Sequence, residues 1–305
     1  MAQAASRCIE NIIRVSPTEV LIVIERRSLR GISDAAQGRK RRALPGLSAP
    51  CRTLFGPVVS RPPPAKLEDI AMIDLYALTS PNVQKVYVML EETKLPYKEH
   101  FVDVWKGEQY HPEFIKINPN SKIPAIIDHD GPGGKPYTLF ESGAILMYLA
   151  EKAGKFLPTD TAKKYHVLQW LFVQTSSVGP MFGQFTHFKM FATKDADHSY
   201  SLSRYQTEVK RLYEVLEKRL AHSPYLGGDE YTIADIATFP WTRNHDIQGV
   251  KWEDNPNLAR WFKSIDERPA VKAALAKVGA IKSNRDTAND DQKDRFFNRG
   301  KYARA

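Results

Sequence analysis

The chain has 305 residues, 42% hydrophobic and 26% charged, a balance that suits one or two globular domains and excludes a fibrous chain. No apolar run reaches the roughly 18 residues of a membrane span, so no membrane partner is expected. The net charge of +9 invites a nucleic-acid reading, but the first 71 residues hold 12 Lys and Arg against 6 Asp and Glu while the rest is near balance, so no nucleic-acid partner is expected either.

Residues 1–71 stand apart. The stretch "GRKRRALPGLSAPCRTLFGPVVSRPPP" mixes Arg, Pro, Gly and Ser without a sustained period, and the segment reads as a disordered extension. Its Arg and Ser content fits a mitochondrial transit peptide, but Glu10, Glu19, Glu25 and Asp34 count against one. Both cysteines, Cys8 and Cys51, fall here, with spacing that implies neither a disulfide framework nor a zinc site. From residue 72 onward there is no cysteine. Thiol chemistry in that part has to use a thiol brought by a ligand.

Residues 72–155 alternate between strand and helix. "MIDLYAL" reads as a buried strand, and "NVQKVYVMLEET" puts Val83, Val86, Tyr87 and Leu90 on one helical stripe. "YKEHFVDV" alternates as a strand. "KIPAIIDH" and "YTLFE" read as two strands around the turn "DGPGGKP", and "SGAILMYLAEKAG" as a helix ending near Gly154. The order β-α-β-(α)-β-β-α predicts a small α/β domain of thioredoxin type.

Residues 160–280 show helical periods only. "AKKYHVLQWLFVQTSSVGPMFGQF" predicts a long helix interrupted at Gly179-Pro180. The next helix carries Tyr205, Val209, Leu212, Val215, Leu216 and Leu220 on its apolar stripe. "TIADIATFPWTRNH" opens on Thr232 with Asp235 three positions on, a capping box with Asp in place of Glu. We read this motif as a folding element without a chemical role, with Asp235 buried at a helix start. The last helices are split by Pro269, and residues 281–305 read as a loose polar tail.

A thioredoxin-like domain followed by an all-α domain, together with "SPNVQKV", "NPNSKIPAIID", "LFESGAILMYLAEK" and "YLGGDEYTIADIATFPW", resembles the cytosolic glutathione transferases over residues 72–280. "MIDLY" and "LQWLF" followed by "GPM" resemble most the Nu class, the glutathione-dependent disulfide-bond oxidoreductases, and the related branch of the yeast nitrogen regulator. The resemblance implies a cytoplasmic homodimer that uses glutathione and no metal. Its second substrate would be a small disulfide, with peroxides and electrophiles as the wider set. The alternative is a non-enzymatic regulatory or assembly protein on the same fold. That branch's Asn-rich extension is absent, and an Arg/Pro-rich segment stands in its place.

Each motif also has a reading of its own. A cis bond at Ile123-Pro124 would turn the Ile123 backbone outward, free to pair with an extended cysteinyl unit; an ordinary turn proline is the plainer alternative. Glu141 and Ser142 open a helix whose free N–H groups and dipole suit a carboxylate, while Glu141 suits an ammonium. A helix cap explains the same composition. Ser80 and Asn82 sit where the first strand gives way to the first helix, a place where helix N–H groups lower the pKa of a thiol. By resemblance, Asn82 and, second to it, Ser80 stabilise the glutathione thiolate. Gln109 matches a contact to the glycyl end and Arg204 a contact to a glutathione carboxylate. Trp170, Phe172, Phe182, Phe185, His187 and Phe188 read mainly as core.

Overall fold

The computed structural model describes residues 72–300; the extension expected over 1–71 lies outside the described residues. Strands β1 (Ile73–Ala77), β2 (Tyr97–Phe101), β3 (Ala125–Asp128) and β4 (Tyr137–Phe140) form one sheet in the order β2-β1-β3-β4. β2 runs parallel to β1, as its helical crossover requires, while β3 and β4 are antiparallel additions. Helices α1 (Pro81–Thr93), α2 (Pro112–Ile117) and α3 (Ser142–Ala153) complete the thioredoxin-like domain. Ile73, Leu75 and Ala77 of β1 are buried, and so is the predicted stripe of α1.

The second domain is all helical: α4 (Thr161–Val173), α5 (Gly179–Thr186), α6 (Ser199–Leu220), α7 (Ile233–Thr242), α8 (Pro256–Asp266), α9 (Pro269–Ala280) and α10 (Asp290–Phe297). Gly179-Pro180 does not end the long helix. The chain widens into a π-helical turn over Gln174–Val178 and continues directly into α5, with Pro180 in its first turn, so the wider turn is where the helix accommodates the proline. On α6, Tyr213 is buried beside Val209, Leu212, Leu216 and Leu220, while the expected Tyr205 and Val215 are only half-buried.

Helix α1 belongs to both domains. It packs on α3 of its own domain and on α7 and α9 of the other. At its end the Glu92 carboxylate takes both arms of the Arg268 guanidinium, which lies 4.0 Å over the Tyr231 ring. Asp235 is fully buried, as expected. It accepts from the backbone N–H groups of Leu226 and Thr232, the Thr232 hydroxyl and the Trp261 indole at 2.8–3.1 Å.

The tail corrects the sequence reading. The described part of the expected tail, 281–300, is not uniformly loose: Asn289 and Gln292 form a reciprocal capping box that starts α10. Phe296 and Phe297 then pack on Trp105, with Phe296 at 4.5 Å between ring centroids, and Arg299 pairs with Asp294. The segment is polar in composition because a helix of eight residues needs only its last turn to be apolar to stay docked.

Two stability measurements check this account. Asp235→Ala leaves several buried donors without an acceptor and should cost about 3 kcal/mol or more in urea unfolding. Phe296→Ala should cost about 1–2 kcal/mol and shift Trp105 emission to the red, whereas an undocked tail would leave both unchanged.

Candidate active site

Ser80 and Asn82 stand differently at the start of α1. Ser80 is the cap: its backbone is extended, and its hydroxyl accepts from the Val83 N–H at 3.1 Å. Asn82 is inside the helix and lines a cleft of about 510 Å³ between the two domains. Its Oδ1 accepts from the Trp241 indole N–H at 3.2 Å, which leaves the NH2 end as the donor available to a ligand. Trp241 closes the "TIADIATFPW" motif, so the expectation that this motif is purely a folding element is corrected. Its far end helps to build the cleft.

The opposite wall is the start of α3. Glu141 is exposed and held at φ +71°, outside the usual range for a residue with a side chain, and its backbone C=O accepts the Ile145 N–H. Ser142, buried, begins the helix. Lys122 lines the same cleft just before the Ile123-Pro124 peptide bond, which is cis. The floor comes from the π-helical turn, through Gln174 and Thr175, and from α5. Gly179 brings the backbone close there: a Cβ on it would sit 3.0 Å from Gln174 Nε2, a tight approach, while one on Gly183 would make an ordinary contact with the Trp241 ring at 3.4 Å.

One cleft residue was not foreseen. Lys85 is 1% exposed, and its ammonium donates to Gln174 Oε1 at 2.6 Å and to Ser142 Oγ at 3.2 Å. Burial pushes its pKa down to about 7, against the pull of the Glu141 carboxylate. A signal for it was present: Lys85 is three residues after Asn82 and four before the fully buried Met89, a charge on an otherwise inward face.

Asn82, Glu141 and Ser142 are therefore brought together, with Ile123 and Pro124 next to Lys122. Gln109 and Arg204 are not among the residues lining the cleft. Gln109 is buried in the loop after β2, and its Oε1 has no partner among the described residues. Arg204 is exposed on α6. Of the aromatic set, Phe182 and Phe185 are core, Phe172 is exposed, and His187 packs against Phe188 and Phe297, with burial and the nearby Arg299 charge lowering its pKa. A larger groove of about 670 Å³ at the β2 edge, between Phe101 and Lys277, holds none of these groups. Among the described residues no group of His, Cys, Asp and Glu is arranged for a metal, and no helix is long and apolar enough to cross a membrane.

The patterns that define the glutathione S-transferase N-terminal and C-terminal domains match residues 79–152 and 180–269. The chain belongs to the glutathione S-transferase family. It is 49% identical over 208 residues to the disulfide-bond oxidoreductase YfcG of Escherichia coli, covering 68% of this chain and 96% of that one. It is also 33% identical to the protein URE2 of Candida albicans, over 65% of this chain and 67% of that one. A solved glutathione transferase of Pseudomonas putida, with one glutathione disulfide bound per subunit, superposes with a TM-score of 0.64 at 45% identity, over 70% of this chain and 93% of that one. The resemblance to the disulfide-bond oxidoreductases and the neighbouring yeast branch is borne out.

The Lys85 environment predicts a pH effect in the ligand-free protein. The unfolded lysine titrates near 10.4 and the folded one at about 7, so the unfolded state binds more protons between them. Stability should fall as pH drops through that interval, by up to about 1.4 kcal/mol per unit. In Lys85→Met, urea unfolding followed from pH 7 to 9.5 should lack this slope.

Proposed function

We propose that the protein is a glutathione-dependent disulfide reductase that works through a bound glutathione thiolate. The observation that carries this reading is the Asn82 amide, set in the first turn of α1 by Trp241 and facing the anion-ready start of α3 across one cleft. The α3 N-terminus and Ser142 take the γ-glutamyl carboxylate, and Glu141 takes the ammonium on the same carbon. The Ile123 backbone pairs with the cysteinyl unit. This puts the sulfur near Asn82, where the amide N–H and the helix dipole favour thiolate. Ser80 keeps a hydroxyl hydrogen for the same anion while its oxygen caps the helix. Gln109, whose buried Oε1 lacks a partner, is read as the contact to the glycyl end.

The reaction is two exchanges. The thiolate attacks one sulfur of the acceptor, a glutathionyl mixed disulfide forms, and the other half leaves as a thiolate. A second glutathione thiolate attacks the glutathione sulfur of the mixed disulfide. Glutathione disulfide and the second acceptor thiolate are released, and each thiolate product takes a proton from water. The acceptor's two electrons come from two glutathiones, and no protein cysteine is involved. The disulfide-bond oxidoreductase name of the Escherichia coli relative and the glutathione disulfide in the Pseudomonas putida structure support this choice of chemistry.

The same reading makes the protein a homodimer. Tyr165 and Phe172, seven residues apart on one face of α4, are 66% and 57% exposed and offer an apolar face to a second subunit. Arg204, exposed on α6, would reach a glutathione carboxylate only near such a seam.

Glutathione-dependent reduction of hydroxyethyl disulfide tests the mechanism. Asn82→Ala should slow turnover roughly tenfold, less than the 10²–10³ of an oxyanion donor because sulfur spreads its charge. Replacing Cys8 and Cys51 with Ser should leave the rate unchanged. Full activity in Asn82→Ala with a dead cysteine-free protein would reverse the assignment. Ser142→Ala should weaken glutathione binding by about 1–2 kcal/mol in calorimetry. Light scattering should give a dimer mass at micromolar concentration, and a monomer mass for Tyr165→Glu/Phe172→Glu.

A further inference from the structure

Lys85 lies beneath the cleft, not in its mouth, and nothing in the exchange chemistry uses it. A buried ammonium is costly unless something repays its lost hydration. Its two neighbours in the structure, Ser142 Oγ and Gln174 Oε1, are neutral acceptors, and Gln174 Nε2 has no partner among the described residues. The other charged groups near it are accounted for. Among the described residues, Glu141 carries the one charge that favours the protonated form of Lys85. Lys122 lines the rim, and Arg243 at the end of α7 bonds Gln84. Elsewhere on the elements packed against α1, Lys277 pairs with Glu91, Arg268 with Glu92, Lys152 with Asp128, and Lys164 with Glu151, while Asp235 is enclosed by Thr232 and Trp261. The π-helical turn and α5 bring only uncharged side chains. The site is thus built around a cation whose hydrogen-bond partners are neutral and whose one charged neighbour among the described residues is Glu141, so an arriving anion adds to a compensation that the protein supplies only in part.

We propose that Lys85 is a positioning residue for the anionic end of the ligand: held between Ser142 and Gln174, it orients the Ser142 hydroxyl toward the γ-glutamyl carboxylate and takes up a proton as that carboxylate arrives. This rests on the glutathione reading above. Lys85 as an amine can donate to Gln174 and accept from Ser142. Lys85 as an ammonium must donate to both, which turns the Ser142 hydrogen away from Lys85 and into the cleft. Protonation therefore sets the direction of the hydrogen bond that the ligand receives. The lowered pKa near 7 in the free protein fits this role, since a proton is then gained on binding and not merely kept.

The sign follows from linkage. The ligand's negative charge raises the pKa of Lys85 in the complex, so its contribution to affinity is complete below about 7 and fades as pH rises through the complex's higher midpoint. The experiment is calorimetry with S-methylglutathione, which has no thiol to titrate, in buffers of different ionisation enthalpy. At pH 8 the wild type should take up about half a proton or more beyond Lys85→Met. Protons exchanged by the ligand's own amino group are common to both proteins and drop out of the difference. The variant should also bind about tenfold more weakly at pH 7 and lose the steep part of the pH profile. A measurement on the wild type alone guards against a misfolded variant. In protein labelled with ¹³C at lysine Cε, one resonance should titrate near pH 7 in the free state and well above it with S-methylglutathione bound. Binding with equal proton counts in wild type and variant, or no lysine resonance titrating below pH 9, would overturn the proposal and leave the glutathione site standing. Absence of any binding by the wild type would overturn both.

Discussion

Helix α1 has to be core along most of its length and accessible at its first turn. Val83, Val86, Tyr87, Met89 and Leu90 are sealed, with both domains packed on them. A helix so enclosed keeps its first turn open only because Ser80 satisfies one orphan N–H itself and the chain before it leaves the sheet at β1. The other walls follow from that arrangement. The second domain must pack close enough to bury α1, which places Trp241 on Asn82 and Gln174 on Lys85. The cleft is a by-product of the domain seam, and its polar groups are fixed by the same contacts that hold the seam together.

The irregular stretch between α4 and α5 is part of the same solution. A π-helical turn adds a residue per turn and rotates everything before it relative to everything after. Here it moves Gln174 inward to meet the lysine, and the small residues that follow keep the backbone close to Trp241. A side chain at Gly179 would crowd the Gln174 amide, so the floor of the cleft and the location of the lysine amine are set by one segment.

Much of this was legible in the chain. The alternation of "MIDLYAL", "AIID" and "YTLF" with amphipathic runs gave the mixed sheet, and Thr232 with Asp235 marked a buried helix start, because these signals depend on neighbours in sequence. Asn82, Glu141 and Ser142 were visible for the same reason, each at a strand-to-helix junction. Lys85 left only the trace of a charge on an inward face, since a lysine in a helix is usually solvated and its burial depends on Gln174, 89 residues away. Helix α10 escaped because its apolar content is confined to two phenylalanines whose partner, Trp105, lies in a distant loop. Trp241 was hidden behind the folding role of its motif.

The backbone at Glu141 carries a further meaning. A positive φ of +71° at a glutamate is conformational strain of the order of 1–3 kcal/mol, and glycine would relieve much of it. Selection for robustness alone would therefore push this position toward glycine, which would erase the carboxylate that steadies Lys85 and that the proposed function assigns to the ligand's amine. The junction is a place where thermal tolerance and ligand recognition pull the sequence in opposite directions. A library screened only for heat resistance would drift toward a sturdier fold with an emptied binding edge.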